Sequence, residues 1–122
     1  MLNLNSVMIG TKQAKALAAF YEKVLGEPPG MVDEEQGYWG WQVGSTFFSV
    51  MDHSAMAGGT KDPGRVMINF ETAQVQSEFE RIKGLGAAVI KEPYQMGEAW
   101  IATLADLDGN YFQLLSQMGH AS

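Results

Sequence analysis

Apolar residues recur along this chain with two periods, and the period switches in the same order twice. Ala14, Leu17, Ala18, Tyr21, Val24 and Leu25 return at three- and four-residue spacing, which is one face of a helix. Thr11 stands where an N-cap is needed. Gly26 follows the last apolar position, and Pro28-Pro29-Gly30 forbids continuation. Before this helix, residues 4–10 mix apolar and small polar side chains and read as a strand. After it come three strand-like stretches, at 31–35, 38–43 and 46–51. Gln36-Gly37 and Gly44-Ser45 turn the chain between them.

Residues 53–64 break the pattern. They are small, polar and rich in glycine, and they read as a linker between modules at about 1–52 and 65–117. The second module repeats the first. Residues 65–71 form a strand pattern. Val75, Phe79, Ile82 and Leu85 mark a helix face, and Gly86 ends it. Residues 87–91 read as a strand broken at Pro93, and 98–104 as another. Asp106-Leu107-Asp108-Gly109-Asn110 is a tight turn, and 111–115 is the last strand. Residues from Met118 onward read as a frayed tail. The pattern therefore predicts an α+β fold of two tandem βαβββ modules within one domain spanning 1–122. A curved mixed sheet is expected to surround a cleft, with the helices on its outer face. Neither module alone can cover both faces of its sheet, so the cleft is the natural ligand site.

Composition narrows the function. The chain has 122 residues, 46% of them hydrophobic and 18% charged, an ordinary globular balance. Fourteen acidic against eight basic side chains give a formal net charge of −6. Nucleic acid and anionic membrane are repelled on average by such a field, whereas a neutral or cationic ligand is compatible with it. There is no cysteine, hence no disulfide, thiolate metal site or thiol nucleophile. The N-terminus carries no signal-peptide pattern and no apolar run is long enough to span a membrane, so a cytoplasmic protein is expected.

Three segments carry a family resemblance. Phe20-Tyr21-Glu22-Lys23-Val24-Leu25-Gly26 and Phe79-Glu80-Arg81-Ile82-Lys83-Gly84-Leu85-Gly86-Ala87 look like two helix ends of the vicinal oxygen chelate (glyoxalase/bleomycin-resistance) superfamily. Asp106 to Leu114 resembles that superfamily's last turn and strand, with Leu107 where its usual Asp-Pro-Asp-Gly-Asn has proline. The resemblance implies the two-module fold. In catalytic members it also implies a divalent metal held by His, Glu or Gln from the first and last strands of each module.

Carried over, those four positions fall on Ser6, Ser49, Met67 and Gln113, with Arg65 or Asn69 replacing Met67 if the alignment slips. Serine hydroxyls and a thioether are poor ligands for such ions, and only Gln113 is credible. The two histidines, His53 and His120, lie in the linker and the tail. The expectation is therefore no metal and no cofactor.

What fills the cleft instead is flat and soft. Tyr38, Trp39 and Trp41 share one strand, Phe47, Phe48 and Met51 the next, and Trp100 a later one. Strand parity sends Phe47, Ser49 and Met51 to one face, and Tyr111 and Gln113 to the corresponding face of the last strand. The candidate ligand-binding set is Trp39, Trp41, Phe47, Ser49, Met51, Met67, Trp100, Tyr111 and Gln113. The same residues also suit an ordinary core or a subunit interface. Trp39 and Trp41 fit a core least easily, because an indole needs room and a partner for its N–H.

The resemblance favours a pocket, and with it a non-catalytic, metal-independent protein binding an aromatic or cationic organic molecule. The alternative is a metal-dependent lyase, isomerase or dioxygenase of the same superfamily with displaced ligands. A third possibility is an accessory domain whose aromatic face another chain covers. A homodimer is expected, because similar superfamily members pair and an exposed Met- and Trp-rich face favours association.

Overall fold

The computed structural model describes residues 1–2, 4–53, 56 and 61–116. The chain runs β1 (Ser6–Thr11), α1 (Ala14–Leu25), β2 (Met31–Asp33), β3 (Tyr38–Val43), β4 (Thr46–Asp52), then β5 (Ile68–Glu71), α2 (Val75–Lys83), β6 (Ala88–Met96), β7 (Ala99–Ala105) and β8 (Tyr111–Leu115). This is βαβββ twice, an α+β fold. Contacts divide the chain into two compact units, residues 1–58 and 59–122. Each unit has its own four-stranded mixed sheet, ordered β1-β4-β3-β2 and β5-β8-β7-β6. In each, the first strand lies parallel to the last and the other pairs are antiparallel. Among the described residues no helix is long and apolar enough to cross a membrane.

In the first unit α1 buries Leu17, Phe20, Tyr21 and Val24 against its sheet. The Tyr21 ring meets Phe48 edge-on at 4.8 Å, and Trp41 stands 6.0 Å from the same ring. In the second, α2 buries Val75, Phe79 and Ile82, and Phe70 meets Phe112 at 5.9 Å. Full burial of one such side chain contributes about 1.5–3 kcal/mol. These two clusters therefore fix which face of each sheet its helix covers.

The helix starts repeat down to single atoms. Thr11 is not itself the N-cap; Gln13 is, and its N–H donates to the Thr11 hydroxyl at 3.1 Å. Gln74 in turn caps α2 and donates to the Thr72 hydroxyl at 3.0 Å. The triplet Thr-x-Gln is thus a second internal echo. At the far ends Gly26, at φ 80°, closes α1. The second helix stops at Lys83, earlier than its apolar pattern suggested, and Gly86 takes the left-handed φ of 99° after it.

Several strand limits differ from the sequence reading, among them the end of β2, which stops at Asp33. β1 begins at Ser6 and β5 at Ile68, because pairing with β4 and β8 extends no further back. β6 does not stop at Pro93 but runs on to Met96. It is the outermost strand of its sheet, and Pro93 falls in a register shift between Lys91 and Tyr94, where the missing N–H interrupts no ladder. The linker reading falls partly, and the frayed-tail reading wholly, outside the described residues.

Candidate functional site

Each unit leaves one sheet face uncovered by its own helix. In the first, the pairs Ser6↔Phe47 and Met8↔Ser49 join β1 to β4, while Gly40↔Ser49 and Tyr38↔Met51 join β3 to β4. Side chains of directly paired residues share a face. Phe47, Ser49 and Met51 therefore stand with Ser6, Met8 and Tyr38, opposite the buried Phe48 and Val50. The Phe47 ring lies directly over Gly40, and a Cβ there would run into it. Glycine at 40 leaves the space that the end of that ring occupies. Ser49 is buried between these larger neighbours.

The open face of the second unit carries a polar row among apolar neighbours, with Ile101 paired to Leu115 on the same face. Asn69↔Gln113 and Thr103↔Gln113 put two carboxamides and a hydroxyl side by side on three adjacent strands. Gln113 Nε2 donates to Thr103 Oγ1 at 3.1 Å. Tyr111 lies on the same face beside Ala105, and its ring packs near Gly64. Met67 is exposed, immediately ahead of β5. It is Asn69, not Met67, that stands level with Gln113.

The strand after this row is placed by a local device. Asp106 Oδ1 accepts the backbone N–H groups of Asp108 and Asn110, each at 2.9 Å, and Asn110 Nδ2 donates to both carboxylate oxygens. Gly109 takes φ 83° to close the turn. These bonds set where β8 enters the sheet, and so where Gln113 stands.

The three tryptophans require a correction. Trp39 pairs with Val50 and Trp41 with Phe48, so both point to the α1 side of the sheet, opposite Phe47 and Met51. Trp41 is fully buried, and its indole N–H donates to the Glu27 carbonyl at 3.0 Å. That partner is supplied by the loop after α1, which sequence reasoning could not place. Trp100 shares its face with Ala102 and Leu104, in the core, and lies by the start of α2. None of the three joins Phe47, Ser49, Met51, Tyr111 or Gln113 on an open face.

The donor set does not fit the family's metal. Ser6 is exposed at the start of β1, Ser49 is a buried hydroxyl and Met67 offers a thioether, so only Gln113, whose amide oxygen is not engaged by the Nε2 bond to Thr103, is an ordinary donor for such an ion. Substituting Asn69 for Met67 adds a second neutral amide, not a carboxylate or imidazole. Among the described residues no three His, Cys, Asp or Glu are grouped to hold an ion. His53 is exposed after β4, its N–H bonded to the Thr11 carbonyl, and His120 is outside the described residues.

Two polar residues of the second open face escaped the sequence reading. Thr103 sits between alanine and leucine in a run that reads as core, and only its pairing with Gln113 marks it. Lys91 is brought level with Thr103 by irregular pairing of β6, which no residue spacing announces.

Comparison with solved structures returns the same architecture. A glyoxalase-related enzyme from Fulvimarina pelagi superposes with a TM-score of 0.78 at 16% identity, over 96% of this chain and 89% of that one. A glyoxalase/bleomycin resistance protein/dioxygenase family enzyme from Burkholderia phytofirmans PsJN gives 0.76 at 22% identity, over 94% and 98%. The fosfomycin resistance protein FosX from Listeria monocytogenes gives 0.75 at 18% identity, over 100% and 96%. At such identities the likeness is one of fold. No curated protein matches the chain. The profile of the glyoxalase-like domain matches residues 6–115, both βαβββ units, and the chain therefore belongs to the glyoxalase-like family of the vicinal oxygen chelate superfamily.

Proposed function

We propose that this chain is a metal-independent small-molecule-binding protein of the glyoxalase/bleomycin-resistance type, holding an aromatic organic ligand on its open sheet faces. The observation that carries the reading is the chemistry at the family's metal positions. Two hydroxyls, a thioether and a hydrogen-bonded carboxamide can orient an organic molecule but make a poor cage for a divalent ion. Phe47, with the end of its ring over Gly40, supplies an aromatic surface, and Met8 and Met51 beside it can adapt to ligands of different outline. On the second unit's own face, Tyr111 and Gln113 offer polar contacts to a ligand. Of the two ligand classes the sequence suggested, the aromatic one is better supported. The indoles that would have faced a cation lie on the helix sides.

The expected second partner is another copy of the chain. Met8, Met31 and Val32 are exposed on the first unit's sheet, and association would cover them. Two measurements test the function. Elemental analysis after incubation with Ni, Zn, Fe(II), Mn or Co and removal of free ion should find none retained; one ion per chain would overturn the reading. Titration with small aromatic compounds, followed by amide NMR, should move signals of residues 47–51 and 111–113. Shifts confined to the helices would count against the open faces.

A further inference from the structure

We infer that the ligand carries an oxyanion, a carboxylate or phosphonate-like group, and that Lys91 is the residue that recognises it; this rests on reading the open sheet faces as the ligand site. The argument begins with the pairing of β6 to β7. From Val89↔Leu104 to Lys91↔Thr103, β6 advances two residues while β7 advances one. From Lys91↔Thr103 to Tyr94↔Ile101, β6 advances three residues against two. Each shift inserts one extra residue into β6. In a regular strand Val89 and Lys91 would share a face, and Lys91 and Tyr94 would not. The first shift leaves Val89 level with the core residue Leu104 and turns Lys91 to the open face with Thr103. The second turns Tyr94 to that face as well. The Lys91 ammonium then stands 5.2 Å from the centroid of the Tyr94 ring.

Bulges interrupt a ladder, and they are enriched where a strand must re-aim a side chain beside a site. Here the re-aimed side chain completes a row. Asn69, Gln113, Thr103 and Lys91 lie side by side across all four strands of the sheet, at about 4.8 Å per strand. The row holds two carboxamides, one hydroxyl and one ammonium, and no carboxylate. Glu71 lies one row further on, beside Leu115 at the opposite edge of the sheet. Among the described residues the Lys91 ammonium meets the Tyr94 ring and forms no ion pair. The two carboxamides offer acceptors as well as donors, and Thr103 is buried and accepts from Gln113, so the one fixed charge in the row is the ammonium at its end, which suits a ligand bearing negative charge. The chain's net charge of −6 repels anions at a distance, so recognition must rest on these short-range donors.

The test is a charge series on one ring. Phenylphosphonate, benzoate, benzamide and benzylamine are titrated into the full-length protein and into Lys91→Gln and Lys91→Arg, with amide NMR reading affinity and place. The two anions are expected to bind about tenfold tighter than benzamide and to shift Thr103 and Gln113, with benzylamine weakest. Lys91→Gln should bring the anions to the benzamide level and leave benzamide within about twofold, while Lys91→Arg keeps the preference. Phenylphosphonate against benzoate distinguishes the two oxyanion classes. Benzamide and the anions binding alike, or an anion preference that survives Lys91→Gln, would overturn the role of Lys91 and leave the ligand-binding reading standing. No binding of any of the four would overturn both.

Discussion

The two units share an order of strands and helix, and the side chains on the sheet face away from the helix differ sharply between them. On the helix side each unit carries packed rings, Tyr21, Trp41 and Phe48 in the first and the pair Phe70 and Phe112 in the second, where Phe79 of α2 is also buried. On the other side the first unit offers Phe47, Met8 and Met51, and the second offers Asn69, Gln113, Thr103 and Lys91. The pair Met8↔Ser49 in one occupies the place of Asn69↔Gln113 in the other. The difference teaches which residues the repeat must keep. The helix-side positions answer to packing, which tolerates little change. On the other face Phe47, Met51 and Gln113 are only half-buried, and there the first unit presents rings and thioethers where the second presents a row of hydrogen-bonding side chains.

That contrast can be broken or sharpened by substitution. The largest effect is expected on the helix sides. Trp41→Ala and Phe112→Ala should each cost about 3–5 kcal/mol in urea unfolding, because each empties a fully buried ring site. Neighbouring residues on one strand give a sharper version. Phe48→Ala should fall in that same range, while Phe47→Ala, on the half-buried open face, should cost less than half as much and weaken aromatic ligands instead. Equal costs would mean the two faces of β4 are not distinct.

A middle effect is expected at the turn ahead of β8. Asp106→Ala removes an acceptor for two backbone N–H groups and should cost about 1.5–3 kcal/mol, read as a lower urea midpoint. The smallest is expected at Gln113→Leu. It removes one hydrogen bond to Thr103 and should cost about 1 kcal/mol while changing ligand affinity more than stability. A stability loss as large as that of Asp106→Ala would recast Gln113 as structural.

Much of the fold was legible because its signals are local. Helix periodicity, the glycines after each helix and the Asp-Gly-Asn turn depend on residues near one another in sequence. The faces of β8 also followed from alternation, with one buried and one half-buried set, whereas on β4 Ser49 is buried together with Phe48 and Val50. The tryptophans were misplaced for a different reason. Alternation puts Trp39 and Trp41 together, but which side they face depends on register with β4, and that register is non-local. The rule that an indole needs a partner was sound; the partner was a backbone carbonyl at Glu27, invisible to side-chain reasoning. Lys91 was missed because alternation assumes an unbroken strand, and β6 is shifted on both sides of that residue.

The irregular strand has one more consequence. β6 is the border of its sheet and exposes Val89, Ile90 and Met96, an apolar content that invites a foreign strand to zip alongside. Such growth needs an even row of free amides and carbonyls. Pro93 removes one donor, and the two displacements throw the others out of step. The same distortion that turns Lys91 toward the open face therefore makes this border a poor template for fibril-like accretion.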